Sequence, residues 1–335
     1  MEHIRIAVLD DYQGVAFEMA DWSPLAGRAD VVVFRDHLDD PDAVVARLTP
    51  FDVVCVMRER TPLRRPLIDR LPRLKLIAST GAMNASIDLE AARERGITVA
   101  HTGYTSHGAI ELTWALLLGA VRAIPAETTS VRAGGWQVAV GGDLAGRTLG
   151  LVGLGRIGRA MARIATAFEM NVIAWSQNLT AEAASAAGAR LVDKAAVFGD
   201  ADVVSVHLVL SERSRGIVGA ADLARMRRSA WLVNTSRGPL VDEAALIDAL
   251  RDGRIAGAAL DVFDQEPLPL DHPLRTLPNV VATPHVGFVT RQTYETFYRD
   301  TVANIVRWLD ERAASGQHVT QAVGEPGPTR GQRSM

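Results

Sequence analysis

The stretch TLGLVGLGRIGRAMARIATAF (148–168) decides the fold. An apolar run ends at Gly153. Beyond the turn Gly153-Leu154-Gly155-Arg156-Ile157-Gly158, a segment places Ile157, Met161, Ile164 and Ala165 on one helical face. Strand, glycine turn and helix, in that order, make a dinucleotide-binding unit. Gly153 is expected to make the tight turn, Gly155 to let a pyrophosphate approach the backbone, and Gly158 to let helix and strand lie close. The helix start, at Arg156 and Ile157, offers N–H groups and the positive end of a dipole to phosphate. A bare glycine pattern is a weak signal, and an ordinary βα turn is the competing reading. The flanking strand and helix carry the assignment.

Working outward, short β-branched runs alternate with helical stretches along the whole chain. Strands are expected at 4–10, 31–34, 51–57, 74–80 and 97–102, then at 148–153, 171–175, 202–208, 230–236, 257–263 and 279–285. This alternation predicts an α/β fold with doubly wound parallel sheets, and the near-continuous apolar runs suit strands buried on both faces. Helices are expected at about 106–124 and 290–311, as crossings between two domains. A glycine-bearing connection, AGGWQVAVGGDLAG (133–146), follows the first of them. The expected division is a discontinuous substrate domain (1–103 and 288–320) and a nucleotide domain (104–287), with cleft walls from both. A Gly- and Pro-rich tail (321–335) is expected to be disordered.

Composition narrows the class. A chain of 335 residues exceeds the usual size of a single core, and 48% hydrophobic content supplies two. The formal net charge of −3, with Lys and Arg dispersed, points to neither nucleic acid nor membrane as partner. A lone cysteine, Cys55, suits a reducing cytoplasm. The opening MEHIRIAVLDD enters a strand directly, with no signal peptide expected, and no metal site is expected.

The adenosine side of the turn is informative by what it lacks. An NAD site commonly ends its second strand on Asp or Glu. Here NVIAWSQNLT (171–180) puts Ser176 at that place, followed by Gln177 and Asn178. With no carboxylate to repel a 2′-phosphate, NADP is admissible. No arginine follows immediately, so NAD stays open, with a slight lean to NADP.

Three further strand ends carry candidate catalytic groups: Arg237 after AWLVNTS, Glu266 in LDVFDQEPLP, and His285 in ATPHVGF. Ligands of open α/β sheets sit outside the carboxyl ends of the strands. Hydride transfer to a keto acid needs a proton for the new alkoxide, and histidine is the usual carrier near neutral pH. A neighbouring carboxylate stabilises its charged form and fixes the ring. An arginine grips a substrate carboxylate and stabilises developing charge. The roles expected are therefore His285 as acid/base, Glu266 as its partner and Arg237 as anchor. A helix-end charge for Arg237 and a solvated loop acid for Glu266 are the competing readings.

At these residues the sequence resembles the D-2-hydroxyacid dehydrogenase family. LAGRTLGLVGLGRIG (144–158), NTSRGPLVDEAALIDAL (234–250), ALDVFDQEPLP (259–269) and TPHVGF (283–288) are similar to its signature segments in order and spacing. The resemblance implies hydride exchange between NAD(P)H and a small D-2-hydroxy or 2-keto acid, with Arg237, Glu266 and His285 as the catalytic three. It places Asp261 at the nicotinamide carboxamide and His207 and Thr235 along the cofactor. It also implies a flavodoxin-like substrate domain, a Rossmann domain and a homodimer built through the latter.

The substrate loop departs from the family's Gly-Val-Gly-x-Asp form, reading Gly81-Ala82-Met83-Asn84-Ala85. Backbone amides of Ala82 and Met83, with Arg58, are the substrate-binding candidates. Arg60 adds a charge suited to a doubly anionic substrate, and a solvated basic loop is the competing reading. His107 and Trp136 are expected to be structural. Glu266 argues against a formate dehydrogenase. The expected lack of a domain beyond residue 312 argues against a feedback-controlled enzyme. Glyoxylate, hydroxypyruvate, phosphoglycerate, larger apolar keto acids and phosphite remain open as substrates. A nucleotide-sensing corepressor on the same fold is the alternative, and a Rossmann methyltransferase or hydrolase is a second.

Overall fold

In the computed structural model, which describes residues 3–321, strands form within the apolar β-branched runs. In the first half these are β1 (Ile4–Val8), β2 (Ala29–Val33), β3 (Val53–Val56), β4 (Leu76–Ser79) and β5 (Thr98–His101). They make one all-parallel sheet in the order β2-β1-β3-β4-β5. The chain reverses direction across the sheet between β1 and β3, the flavodoxin-like arrangement. One face is covered by the helices Pro41–Leu48, Arg65–Ile68 and Leu89–Glu94, which bury Val45, Leu48, Ile68 and Ala91 against Val54, Val56 and Ile77. The helix Arg291–Gln321 packs against β4 and β5. Its buried residues Tyr294, Phe297, Tyr298, Thr301, Val302, Ile305 and Trp308 recur at helical spacing. Each fully buried large side chain contributes about 1.5–3 kcal/mol.

The second sheet contains β6 (Thr148–Val152), β7 (Asn171–Trp175), β8 (Arg190–Leu191), β9 (Val203–Val206), β10 (Trp231–Asn234), β11 (Gly257–Leu260) and β12 (Val280–Ala282). All are parallel, in the order β12-β11-β10-β9-β6-β7-β8. This is the Rossmann order with one strand added, and its switch point lies between β6 and β9. Neighbouring residues bury on opposite faces, Leu232 and Ala258 on one and Val233 and Ala259 on the other. That alternation is the period-two geometry of a strand.

The described chain divides into two units, residues 3–104 with 291–321, and 105–290. Three features differ from expectation. The strand β8 has two residues and too little apolar pattern to be seen in sequence. The helix expected over 106–124 is split into His107–Val121 and Ile124–Arg132. Ala123 between them takes φ 52°, and Pro125 sits in the first turn of the new helix, where its missing N–H costs nothing. The last helix runs ten residues past its expected end, and the expected tail lies, from residue 322 onward, outside the described residues. Among the described residues no single helix is long and apolar enough to cross a membrane, and no group of His, Cys, Asp and Glu is placed to hold a metal ion.

Candidate active site

The glycine turn sits at the switch point of the second sheet. Gly153 follows β6 with φ 105°, and a Cβ there would stand 2.6 Å from the His207 carbonyl oxygen. A Cβ on Gly158 would stand 2.2 Å from the Gly153 carbonyl oxygen. The protein's own backbone thus demands both glycines. Gly155 differs, because a Cβ there would meet nothing within 4 Å. It opens the helix Arg156–Ala167, which no side chain caps. The first N–H groups of a helix lack intrahelical acceptors, so this end suits a pyrophosphate. The residues present therefore fit a dinucleotide.

His207 follows β9, beside this turn. Its Nε2 lies 2.9 Å from Ser205 Oγ, while Nδ1 is buried without a hydrogen-bond partner among the described residues. Burial holds the imidazole down at about 4, so the ring is neutral at neutral pH. An orphaned buried nitrogen is costly unless a ligand group satisfies it. Thr235, after β10, bonds Thr113 Oγ1 at 2.7 Å. Ser176 is half-buried at the end of β7, and its carbonyl accepts from Leu179 N–H at 3.1 Å.

Glu266 and His285 meet directly, with His285 Nδ1 2.6 Å from Glu266 Oε2. Glu266 Oε1 accepts the Phe263 N–H at 2.9 Å. An ionised carboxylate only accepts, so His285 Nδ1 donates and Nε2 is left for proton exchange. The imidazole also packs edge-on against Phe288, ring centroids 5.6 Å apart. Arg237 lies just beyond β10, its guanidinium donating to the Ser236 carbonyl at 2.7 Å. Buried Asn234 shapes this turn, donating to the Arg237 carbonyl at 2.9 Å and accepting from Ser236 N–H at 3.1 Å. The Arg237 loop lies on the Glu266 loop with no room to spare, since a Cβ on Gly238 would stand 2.0 Å from the Phe263 carbonyl carbon.

Asp261, 1% exposed, braces the His285 loop. Its Oδ1 accepts from Thr283 Oγ1 at 2.6 Å and Val286 N–H at 2.8 Å, and its Oδ2 from Gly287 N–H at 2.8 Å. Burial raises its carboxyl above the usual range, and these bonds oppose the shift. Three of about four acceptor positions are used inside the protein, which leaves room for one further donor.

In the first unit, Arg58 has φ 53° and its guanidinium lies over the turn after β4, 3.4 Å from the Thr80 carbonyl and 3.5 Å from that of Met83. Gly81 makes room for it, because a Cβ there would overlap the guanidinium at 1.7 Å. Ala82 and Met83 are exposed, Met83 at 79%. Arg60 donates to the Asp10 carbonyl at 2.8 Å and stacks on Tyr12 at 4.3 Å, bridging the β1/β3 switch point. Asn84, which sequence reasoning missed, ties the Arg58 carbonyl to Ser79 Oγ. His107 opens its helix exposed to solvent. Trp136 is 75% exposed and fills no core of its own chain.

Residues 114–287 match the D-isomer specific 2-hydroxyacid dehydrogenase, NAD binding domain, family. The chain is 40% identical to the D-3-phosphoglycerate dehydrogenase of Methanocaldococcus jannaschii over 261 residues, 76% of this chain and 50% of that protein. It therefore spans about half the length of that relative. Similarity to the glyoxylate reductase of Korarchaeum cryptofilum is 35% identity over 297 residues, covering 87% of this chain and 86% of the other. The crystal structure of a phosphoglycerate oxidoreductase from Vibrio cholerae o395 is similar with a TM-score of 0.88 and 38% identity, over 92% of this chain and 99% of that one. Together with a glycine turn at a Rossmann switch point and a histidine paired to a carboxylate, these similarities show that the chain belongs to the D-isomer specific 2-hydroxyacid dehydrogenase family.

Proposed function

We propose that this protein interconverts a small 2-keto acid and its D-2-hydroxy acid, with NAD(P)H as the second substrate. The observation that carries the reading is the 2.6 Å bond between His285 and Glu266 in the unit that holds the glycine turn. The reduced nicotinamide supplies the hydride. His285 Nε2 supplies the proton to the new hydroxyl, and Glu266 stabilises the imidazolium before transfer. Arg237 grips the substrate carboxylate and the oxygen on which charge develops. His207, Thr235 and Asp261 are cofactor-side residues, Asp261 through its remaining acceptor position. Arg58, Ala82 and Met83 are the substrate-side candidates of the first unit.

The absence of a carboxylate at Ser176 supports use of NADP, with NAD accepted. A homodimer is part of the proposal: Ile124, Val131, Trp136, Val138 and Val140 expose apolar surface along one short stretch, as a second copy would cover. A reducing, cytoplasmic setting agrees with Cys55, buried and with its thiol pushed up to about 12.

The test is oxidation of NADH and NADPH, followed separately by absorbance, against a panel of 2-keto acids. Glyoxylate comes first because a relative carries that name. Turnover with one pair supports the reading and fixes the coenzyme. Cofactor binding without turnover on any member of the panel contradicts it.

A further inference from the structure

We infer that Glu243 and His272 are positioning residues that set the Glu266 loop, and through it the orientation of the His285 imidazole. The inference rests on the proposed proton-donor role of His285.

Glu243 is the first residue of the helix Glu243–Arg251, whose start is fixed by the Asp242 side chain accepting from Ala245 N–H at 3.0 Å. From that anchored position its Oε2 accepts the Asp264 N–H at 3.2 Å, and its Oε1 lies 3.1 Å from His272 Nε2. The two side chains are only 19% and 17% exposed. His272 Nδ1 faces the Leu274 N–H at 3.3 Å, so Nδ1 is the acceptor and Nε2 carries the proton given to Glu243. One residue before Asp264, the Phe263 N–H goes to Glu266, and Glu266 goes to His285. Consecutive amides of one loop are thus held by two carboxylates, the partner of the imidazole on one side and a helix-anchored glutamate on the other.

Asp264 has Glu243 and Asp242 as its acidic neighbours, and Arg215 and His272 as its positive or polarisable ones. The Asp264 carboxyl is raised by burial and then by Glu243. The consequence follows from distance. Misplacing a reacting group by about 1 Å can cost on the order of 10²-fold in rate, and the Glu266 loop carries the carboxylate that holds His285 at 2.6 Å.

The experiment compares wild type with Glu243→Ala, Glu243→Gln and His272→Gln. It reads the downfield proton resonance of the His285 Nδ1–H, assigned by its loss in His285→Gln, together with turnover and NAD(P)H affinity. The expected result for Glu243→Ala is an upfield shift or exchange loss of that resonance, with kcat down roughly 10- to 100-fold and cofactor affinity held within about twofold. Glu243→Gln keeps one acceptor and falls between. His272→Gln gives the same readout should Glu243→Ala not fold. An unmoved resonance in a folded variant that loses only melting temperature overturns the inference, as does a parallel loss of cofactor affinity. A wild type without turnover contradicts the proposed function instead, and the resonance still decides the positioning role.

Discussion

His285 holds a left-handed backbone angle, φ 53°, three residues past β12. A non-glycine residue stays there only where its surroundings over-determine it, at a cost of order 1–3 kcal/mol. Asp261 supplies that constraint through bonds to Thr283, Val286 and Gly287 on either side of the histidine. His207 shows the opposite use of a part-buried ring whose Nδ1 is buried. Its folded value of about 4 lies below the unfolded value near 6.5. Between those limits the unfolded chain binds the proton and the folded chain does not. Stability is therefore full above about pH 6.5 and falls as pH drops toward 4, by about 3 kcal/mol from this residue. Asp261, with a raised carboxyl, works in the other sense, since its protonation relieves a burial penalty as pH falls. Melting temperatures of wild type and His207→Gln across this range check the assignment. The variant is expected to lose the acid-side slope, and identical slopes would remove it.

At the scale of elements, the candidate catalytic groups are held by loops locked onto one another. Gly238 lets the Arg237 loop lie on the backbone of Phe263 and Asp264. Gly238→Ala is expected to destabilise the protein by about 1–3 kcal/mol and to lower turnover more than cofactor binding, because it pushes apart the loops of Arg237 and Glu266. Denaturant unfolding and cofactor titration measure the two effects, and wild-type stability would show that the loops have slack. Much of this level was legible in sequence. Continuous β-branched runs such as FDVVCVM are buried on both faces, so eleven of the twelve strands among the described residues could be located. Arg237, Glu266 and His285 stood out in sequence because they follow strand ends, where ligands of such sheets collect, and the structure brings Glu266 and His285 to 2.6 Å of each other. Asn234, Asn84, Glu243 and His272 were not. Their roles come from contacts between segments distant in the chain, which periodicity does not encode. The break at Ala123 was missed because the apolar pattern of the first helix continues to Ile124, although Pro125 marked it.

At the scale of the molecule, two parallel-sheet units carry different candidate chemistry. The unit 105–290 holds the glycine turn, His207 and the His285–Glu266 pair, and the unit built from both ends holds Arg58 and the 80–84 turn. The family match at 114–287 falls within the first of these. The central claim is that His285 delivers the proton that accompanies hydride transfer. Its most direct test is keto-acid-dependent NAD(P)H oxidation by His285→Ala beside wild type, with NAD(P)H affinity measured on both. The account predicts a loss of about 10²–10⁴-fold in kcat with cofactor affinity preserved. Turnover near wild type in His285→Ala would contradict it.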